Sequence, residues 1–111
     1  MIELLYGTKD FSHIAWTEIT GGRPVVLRVV GWKKAFVHRI LSSYSEYDRL
    51  SRTGAVPRGL MFGLAWRTML APSLMGLCDH ARSSGMAIVV RDRGTTLEVR
   101  FEKEQSGTDH K

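Results

Sequence analysis

The stretch from Leu60 to Cys78, LMFGLAWRTMLAPSLMGLC, is the most apolar part of the chain and most constrains how the chain can fold. Apolar side chains fall on nearly every side of a helix built from it, which indicates a helix enclosed by other elements. We do not expect it to cross a membrane, because Arg67 would cost about 2.5 to 3.5 kcal/mol in hydrocarbon and Pro72 interrupts the backbone hydrogen bonds. The stretch therefore predicts one buried helix kinked at Pro72, or two helices separated there.

Length and composition predict a single domain. The chain has 111 residues, enough for one hydrophobic core. We expect residues 1–102 to form this domain and the polar residues 103–111 to be a flexible tail. Cys78 is the single cysteine, which excludes an internal disulfide, and the first residues do not resemble a signal peptide. These features favour a cytoplasmic protein, and the excess of arginine over lysine favours a bacterial source.

The formal net charge is +5, and the excess of positive charge lies in the middle of the chain. Between Arg23 and Arg67, lysine and arginine are frequent, whereas Glu46 and Asp48 are the acids. Such a segment can attract phosphate or an acidic protein surface. The charge alone does not choose between them.

The first half of the chain predicts β-structure. Ile2 to Tyr6 is a short apolar run closed by glycine, which is typical of a strand. Two further β-favouring runs, HIAWTEIT and RPVVLRVV, flank Gly21-Gly22 and predict a two-residue hairpin. This register places Trp16 opposite Leu27 on an apolar face. The opposite, mixed face then carries His13, Ala15, Thr17, Ile19, Pro24, Val26, Arg28 and Val30.

After Gly31 the spacing of the apolar residues changes to that of a helix. Apolar residues recur at three- and four-residue spacing and predict an amphipathic helix from Lys33 to about Arg52, ended by Gly54. Pro57 suits the first turn of a second helix, and the last helical run is expected to reach Ser84 and to be ended by Gly85.

A second hairpin is predicted from the segment MAIVVRDRGTTLEVRF. A turn at Arg93-Gly94 places Val90 opposite Leu97 and Ile88 opposite Val99 on one apolar face, with Met86 opposite Phe101. The reverse face carries Val89, Arg91 and Arg100.

These elements predict a two-layer α+β domain. Its antiparallel sheet consists of two hairpins plus an N-terminal strand, and two or three helices cover one face. The uncovered face mixes arginine with small apolar residues, as moderately polar protein interfaces do. An ordinary half-solvated sheet face is the alternative. The predicted partner-binding residues are Val26, Arg28, Val30, Val89, Arg91 and Arg100.

No pattern in the sequence indicates catalysis, a metal or a cofactor. Cys78, Asp79 and His80 include the residue types of a nucleophilic site, but consecutive helical positions point about 100° apart and cannot meet on one face. The four histidines show no spacing typical of metal ligands. We therefore predict no catalytic residues, no metal and no cofactor. The alternative is an enzyme whose active-site pocket is not indicated by any sequence motif.

The sequence thus favours a small non-enzymatic bacterial regulatory or adaptor protein that forms a homodimer and binds a partner protein, in order to inhibit or modulate it. The contact surface is the uncovered sheet face or the Lys33–Arg52 helix, and no membrane is involved. The alternative is a basic nucleic-acid-binding protein with little sequence specificity. Its phosphate contacts are then Lys33, Lys34, Arg39, Arg49 and Arg52.

Overall fold

The computed structural model describes residues 1–54, 56–61, 63 and 72–103. A four-stranded sheet packs on one face against helices, so the predicted α+β class is confirmed. The elements in chain order are β1 (Ile2–Leu5), α1 (Phe11–Thr20), β2 (Val25–Val30), α2 (Lys33–Ser51), α3 (Pro72–Ser83), β3 (Met86–Asp92) and β4 (Thr96–Lys103). The strand order is β1-β2-β4-β3.

Two predictions fall partly outside the described residues. The apolar stretch from Leu60 to Cys78 includes residues 62 and 64–71, so the choice between a kinked helix and two helices at Pro72 lies outside them. Most of the predicted tail, residues 104–111, also lies outside. Residues 58–61 and 63 are helical, as predicted for the segment after Pro57.

The first predicted hairpin is wrong, because residues 11–20 form helix α1 and not a strand. The buried residues of α1 are Phe11, Ala15 and Ile19, which recur every four residues and so form one stripe of a helix. Ala15 and Ile19 therefore lie in the core and not on an uncovered sheet face. His13, Thr17 and Trp16 lie on the exposed side of the helix, so Trp16 does not pair with Leu27.

Gly21 and Gly22 cap a helix instead of turning a hairpin. The Arg23 N–H donates to the carbonyl of Glu18 at 2.9 Å, and the Gly22 N–H donates to the carbonyl of Ile19 at 2.9 Å. Together with a φ of 76° at Gly22, these bonds form the Schellman motif that ends many helices. The glycine supplies positive φ, as a hairpin turn would also need, but here it ends α1.

Helix α1 connects two parallel strands. A helical crossover returns the chain to the same end of the sheet, and β1 accordingly pairs in parallel with β2. Leu4 lies beside Leu27, which in turn pairs with Val99 of β4. The prediction of a purely antiparallel sheet is therefore wrong for β1, whereas β2, β4 and β3 are antiparallel.

Helix α2 agrees closely with its predicted span. Its buried residues are Val37, Ile40, Leu41 and Tyr44, which repeat at the predicted three- and four-residue spacing. The segment after it reaches Gly54 with a φ of 76°. Helix α3 ends one residue before the predicted Ser84, and Gly85 follows it with positive φ.

The second hairpin exists, but its turn lies one residue later than predicted. Arg93 faces Thr96, and the Arg93 N–H donates to the Thr96 carbonyl at 2.8 Å, so the turn residues are Gly94 and Thr95. Gly94, with a φ of 82°, occupies the first central position, where a type II′ turn needs glycine. A turn at Arg93-Gly94 would have required positive φ at the arginine.

The later turn shifts the pairing of β3 with β4 by two residues and keeps each side chain on its predicted face. Val90 lies opposite Val99, Ile88 opposite Phe101 and Met86 opposite Lys103. The predicted partners were wrong. The division into an apolar and a mixed face is correct.

The core lies between the sheet and helices α1, α2 and α3. Residues Val25, Leu27 and Val29 of β2 and Leu97, Val99 and Phe101 of β4 point into it, all at most 1% exposed. Because inner strands β2 and β4 alternate between core and opposite face, Val26, Arg28, Glu98 and Arg100 must point away from the helices.

Gly76→Ala is expected to raise the free energy of unfolding by about 0.5–1 kcal/mol, since glycine inside a helix is less favourable than alanine by that amount. A Cβ at position 76 would meet no atom within 4 Å. Gly85→Ala is the matched control, because its φ of 76° is left-handed and alanine should lower the stability there by about 1–2 kcal/mol. Urea denaturation measures both, and equal effects would contradict the assigned backbone.

Candidate protein-binding surface

The sheet face turned away from the helices is the first candidate surface, and we call it the open face. Strand pairing aligns its residues in rows across the sheet. One row consists of Leu5, Arg28, Glu98 and Arg91, and the next of Glu3, Val26, Arg100 and Val89. The remaining members are Val30, Ala87, Thr96 and Glu102.

All six predicted partner-binding residues lie on the open face: Val26, Arg28, Val30, Val89, Arg91 and Arg100. They differ in accessibility. Val26 is only 3% exposed, because the long side chains around it cover it, so it supports the surface without being available for contact. Val30 is 47% exposed and Arg91 is exposed, so these side chains are available.

Charges of both signs alternate on the open face. Arg28 Nε donates to Glu3 Oε1 at 2.8 Å, and this hydrogen bond holds the pKa of the Glu3 carboxyl below its ordinary value. Arg100 approaches two carboxylates, with Nη1 at 3.7 Å from Glu98 Oε1 and Nε at 3.4 Å from Glu102 Oε2. The face therefore presents a pattern of paired charges and has no strong excess of one sign.

Glu98 is the buried acid of this pattern. It is 8% exposed, and its Oε2 lies 3.4 Å from Arg93 Nε. In the sheet it stands between Arg28 and Arg91. The neighbouring arginines offset the cost of burying this carboxylate, although Glu98 Oε1 makes no direct hydrogen bond.

Three exposed apolar residues lie where β1 and β2 end, and we call them the apolar corner. They are Leu5 and Val30 of the open face and Trp32, which follows β2, and they are 44%, 47% and 78% exposed. The carboxyl ends of the parallel strands β1 and β2 lie at the same end of the sheet, which brings Leu5 and Val30 to this corner. Trp32 follows Gly31, whose φ of 69° turns the chain out of β2 and into α2.

The five residues predicted to contact phosphates do not form one basic surface. Lys34 Nζ contacts the Gly94 carbonyl and lies 3.3 Å from Asp92 Oδ1. Arg52 pairs with Asp48 at 3.3 Å, and Lys33 lies over Gly7 of the loop after β1. Arg39 and Arg49 are exposed on α2. Their positions differ by ten residues, which separates them by about 80° around a helix.

The neighbouring residues Cys78, Asp79 and His80 point to different parts of the molecule, as predicted. Cys78 is buried, and burial raises the pKa of its thiol to about 12. Tyr44 of α2 donates a hydrogen bond to Asp79 Oδ1 at 2.9 Å. His80 turns toward α1. The geometry does not bring the three groups together as a nucleophile, a base and an orienting acid.

His80 and Trp16 form an aromatic stack between α3 and α1. Their ring centroids are 3.7 Å apart and the planes differ by 6°. Thr20 Oγ1 donates to the Trp16 carbonyl at 2.8 Å and lies 2.9 Å from His80 Nε2. Trp16 also lines a shallow groove of about 410 Å³ between the two helices. We assign this contact to helix packing.

A larger groove of about 640 Å³ lies between α2 and β3, and we call it the edge groove. Its lining includes His38, Leu41, Ser42 and Arg49 of α2 and Ile88 and Val90 of β3. Val90 is 37% exposed although it points to the helix side of the sheet. Helices α1, α2 and α3 therefore leave Val90 of β3 partly uncovered.

Comparison of the chain with protein-family models, with curated proteins and with solved structures finds no significant match. Within the described ranges, no three His, Cys, Asp or Glu residues are grouped so that they could hold a metal ion. In that same part of the chain, no helix is both long and apolar enough to cross a membrane.

The sequence did not reveal the apolar corner. Leu5 reaches it because β1 is parallel to β2, and the predicted hairpin excluded that arrangement. Trp32 could have been found, since a large apolar residue directly after the glycine that ends a strand is placed on a connection at the surface. Glu98 could not be identified as buried without knowing which strands flank β4.

Proposed function

We propose that this protein is a small non-enzymatic regulatory or adaptor protein that self-associates. It binds a partner protein through the open face and the apolar corner. The observation that carries the proposal is the exposure of Leu5, Val30 and Trp32 at one end of the sheet, beside the paired charges of the open face. Exposed apolar clusters with a polar rim are typical of interaction sites. Tryptophan and arginine are the residues most enriched among those that dominate binding energy.

The charge pattern supports a protein partner with a defined surface. Arg28 and Glu3 are paired at 2.8 Å, and Glu98 lies among arginines, so acids and bases are interleaved across the face. Charges of alternating sign favour a partner with the complementary pattern and disfavour others. The net charge of +5 would in addition accelerate the encounter with an acidic protein.

A nucleic acid is less well supported as the main partner. Lys34 and Arg52 already contact acids, and the exposed Arg39 and Arg49 point in different directions around α2. A phosphate backbone would need several free cations along one line. Binding to duplex or single-stranded nucleic acid is therefore treated as an outcome that would overturn the proposal.

Trp32→Ala and Val30→Glu are each expected to weaken partner binding by about tenfold or more, because each removes or charges an exposed apolar contact. The tagged protein is used to capture partners from the source cells, and a captured protein is then purified for titration by calorimetry. Arg39→Glu is the matched control, since it changes an exposed residue of α2, which packs on the other face of the sheet. Circular dichroism verifies that all variants fold.

Specific loss of binding in the two corner variants supports the proposal. Equal loss with Arg39→Glu, or none with either corner variant, would contradict it. A mobility-shift titration with duplex and single-stranded DNA runs in parallel. Salt-sensitive binding that Arg39→Glu weakens and Trp32→Ala leaves unchanged would assign the protein to the nucleic-acid class instead.

A further inference from the structure

We infer that β3 pairs in antiparallel orientation with β3 of a second copy, so that two sheets join into one continuous sheet of eight strands. This inference rests on the self-association included in the proposed function and names the surface that performs it. Among the described strands, β3 is an edge strand whose one neighbour is β4.

The two edges of the sheet differ in how well they resist pairing. Edge strand β1 has four residues and carries Glu3, and short, charged edges discourage the addition of another strand. Edge strand β3 has seven residues and begins MAIVV, with no charge or proline before Arg91. A long apolar edge of this kind is the template on which another strand pairs.

The backbone groups that face outward can be identified from the hairpin turn. The Arg93 N–H donates to the Thr96 carbonyl, which makes Arg93 and Thr96 a hydrogen-bonded pair. Hydrogen-bonded and non-hydrogen-bonded pairs alternate along an antiparallel ladder. Ala87, Val89 and Arg91 therefore bond to β4. The N–H and C=O groups directed to the outer edge belong to Met86, Ile88, Val90 and Asp92.

If a two-fold axis passes between the two Val89 residues, each of these outward N–H and C=O groups meets a hydrogen-bonding partner on β3 of the second copy. Each Ile88 then lies opposite Val90 of the second copy, and each Met86 lies opposite Asp92 of the second copy. Residues directly opposite each other share a face, so the Ile88–Val90 pairs lie on the helix side. They cover Val90, which is 37% exposed in one chain. The edge groove beside it provides room for these side chains.

The charges of the open face continue across this pairing. Arg91 would lie opposite Ala87 of the second copy, and Ala87 pairs with Glu102 within its own sheet. The row then runs Glu98, Arg91, Ala87 and Glu102, with the last two from the second copy. The small side chain of Ala87 leaves space for Arg91 to reach Glu102. The same contact occurs twice about the axis, as an isologous interface requires.

The test combines molecular mass with amide hydrogen exchange. Light scattering of the wild-type chain should show twice the mass of one chain. Val90→Lys should raise the dissociation constant of this dimer by about tenfold or more, because it places a lysine opposite an apolar residue at two symmetric positions. Thr95→Lys is the matched control, because it adds the same charge in the exposed turn of the same hairpin and should leave the dimer intact.

Amide exchange in the wild-type dimer tests the register without any substitution. The amides of Ile88 and Val90 should be protected as strongly as those of Val89 and Arg91, which bond within the sheet. Fast exchange at Ile88 and Val90 in a dimeric sample would overturn the inference, and so would a chain that is monomeric at every concentration. Neither result would affect partner binding through the apolar corner, which Val30→Glu and Trp32→Ala test separately.

Discussion

Phe101→Ala is expected to lower the free energy of unfolding by about 3–5 kcal/mol, the usual range for removing a large aromatic side chain from a core. Phe101 is 0% exposed and lies on the inner strand β4 between Val25 and Ile88. Small domains are stable by about 5–15 kcal/mol in total. The substitution should therefore remove a large fraction of the total stability and lower the urea concentration at which half of the protein unfolds, which denaturation followed by circular dichroism would measure.

Trp32→Ala is the control for this prediction, because it also removes a large aromatic side chain. Trp32 is 78% exposed, and substitutions at such positions usually change stability by no more than about 0.5 kcal/mol. The two variants thus separate the role of an aromatic residue in the core from its role on the surface. A comparable loss in both would mean that the core is not centred on β4.

Sequence patterns predicted the elements for which a single period fits the residues. Helix α2 is an example, because its buried residues Val37, Ile40, Leu41 and Tyr44 fit a helix and do not alternate as a strand would. The glycines after α2 and α3 also ended their helices as predicted. In these segments local pattern and tertiary packing require the same structure.

Helix α1 was mispredicted because its sequence fits two periods. Ile14, Trp16 and Glu18 alternate with other residues as in a strand, whereas Phe11, Ala15 and Ile19 repeat as in a helix. The prediction began at His13 and left Phe11 out, so the helical stripe was incomplete. Gly21-Gly22 did not distinguish a hairpin from a capped helix, because a hairpin turn and a helix C-terminus both use glycine at positive φ.

The part of the open face on β2, β3 and β4 was predicted correctly, although α1 was taken for a strand and its residues were placed on that face. Alternation along β2 and β4 fixes which of their residues share a face, whatever strand lies beside them. Arg28 and Arg100 therefore point away from the helices in either topology. The apolar corner depends on which strands are neighbours and on the turn at Gly31, and these are set by tertiary structure.

Ala15→Glu is expected to lower the free energy of unfolding by about 3 kcal/mol or more, because it places an unpaired carboxylate in the core. Ala15 is 0% exposed and faces the sheet from α1. Thermal and urea denaturation of the purified variant would measure the loss. The predicted hairpin would instead have put residue 15 on the mixed face beside Arg28, where glutamate is harmless or favourable.

Thr17→Glu is the control that separates the two structures. In a strand, residues 15 and 17 share a face, so both substitutions should have the same effect. In helix α1 they point about 160° apart, and the exposed Thr17 should tolerate glutamate within about 0.5 kcal/mol. A large loss at Ala15 with almost none at Thr17 therefore supports the helix. It also supports the parallel pairing of β1 with β2, because a helical crossover between them permits that pairing and a hairpin does not.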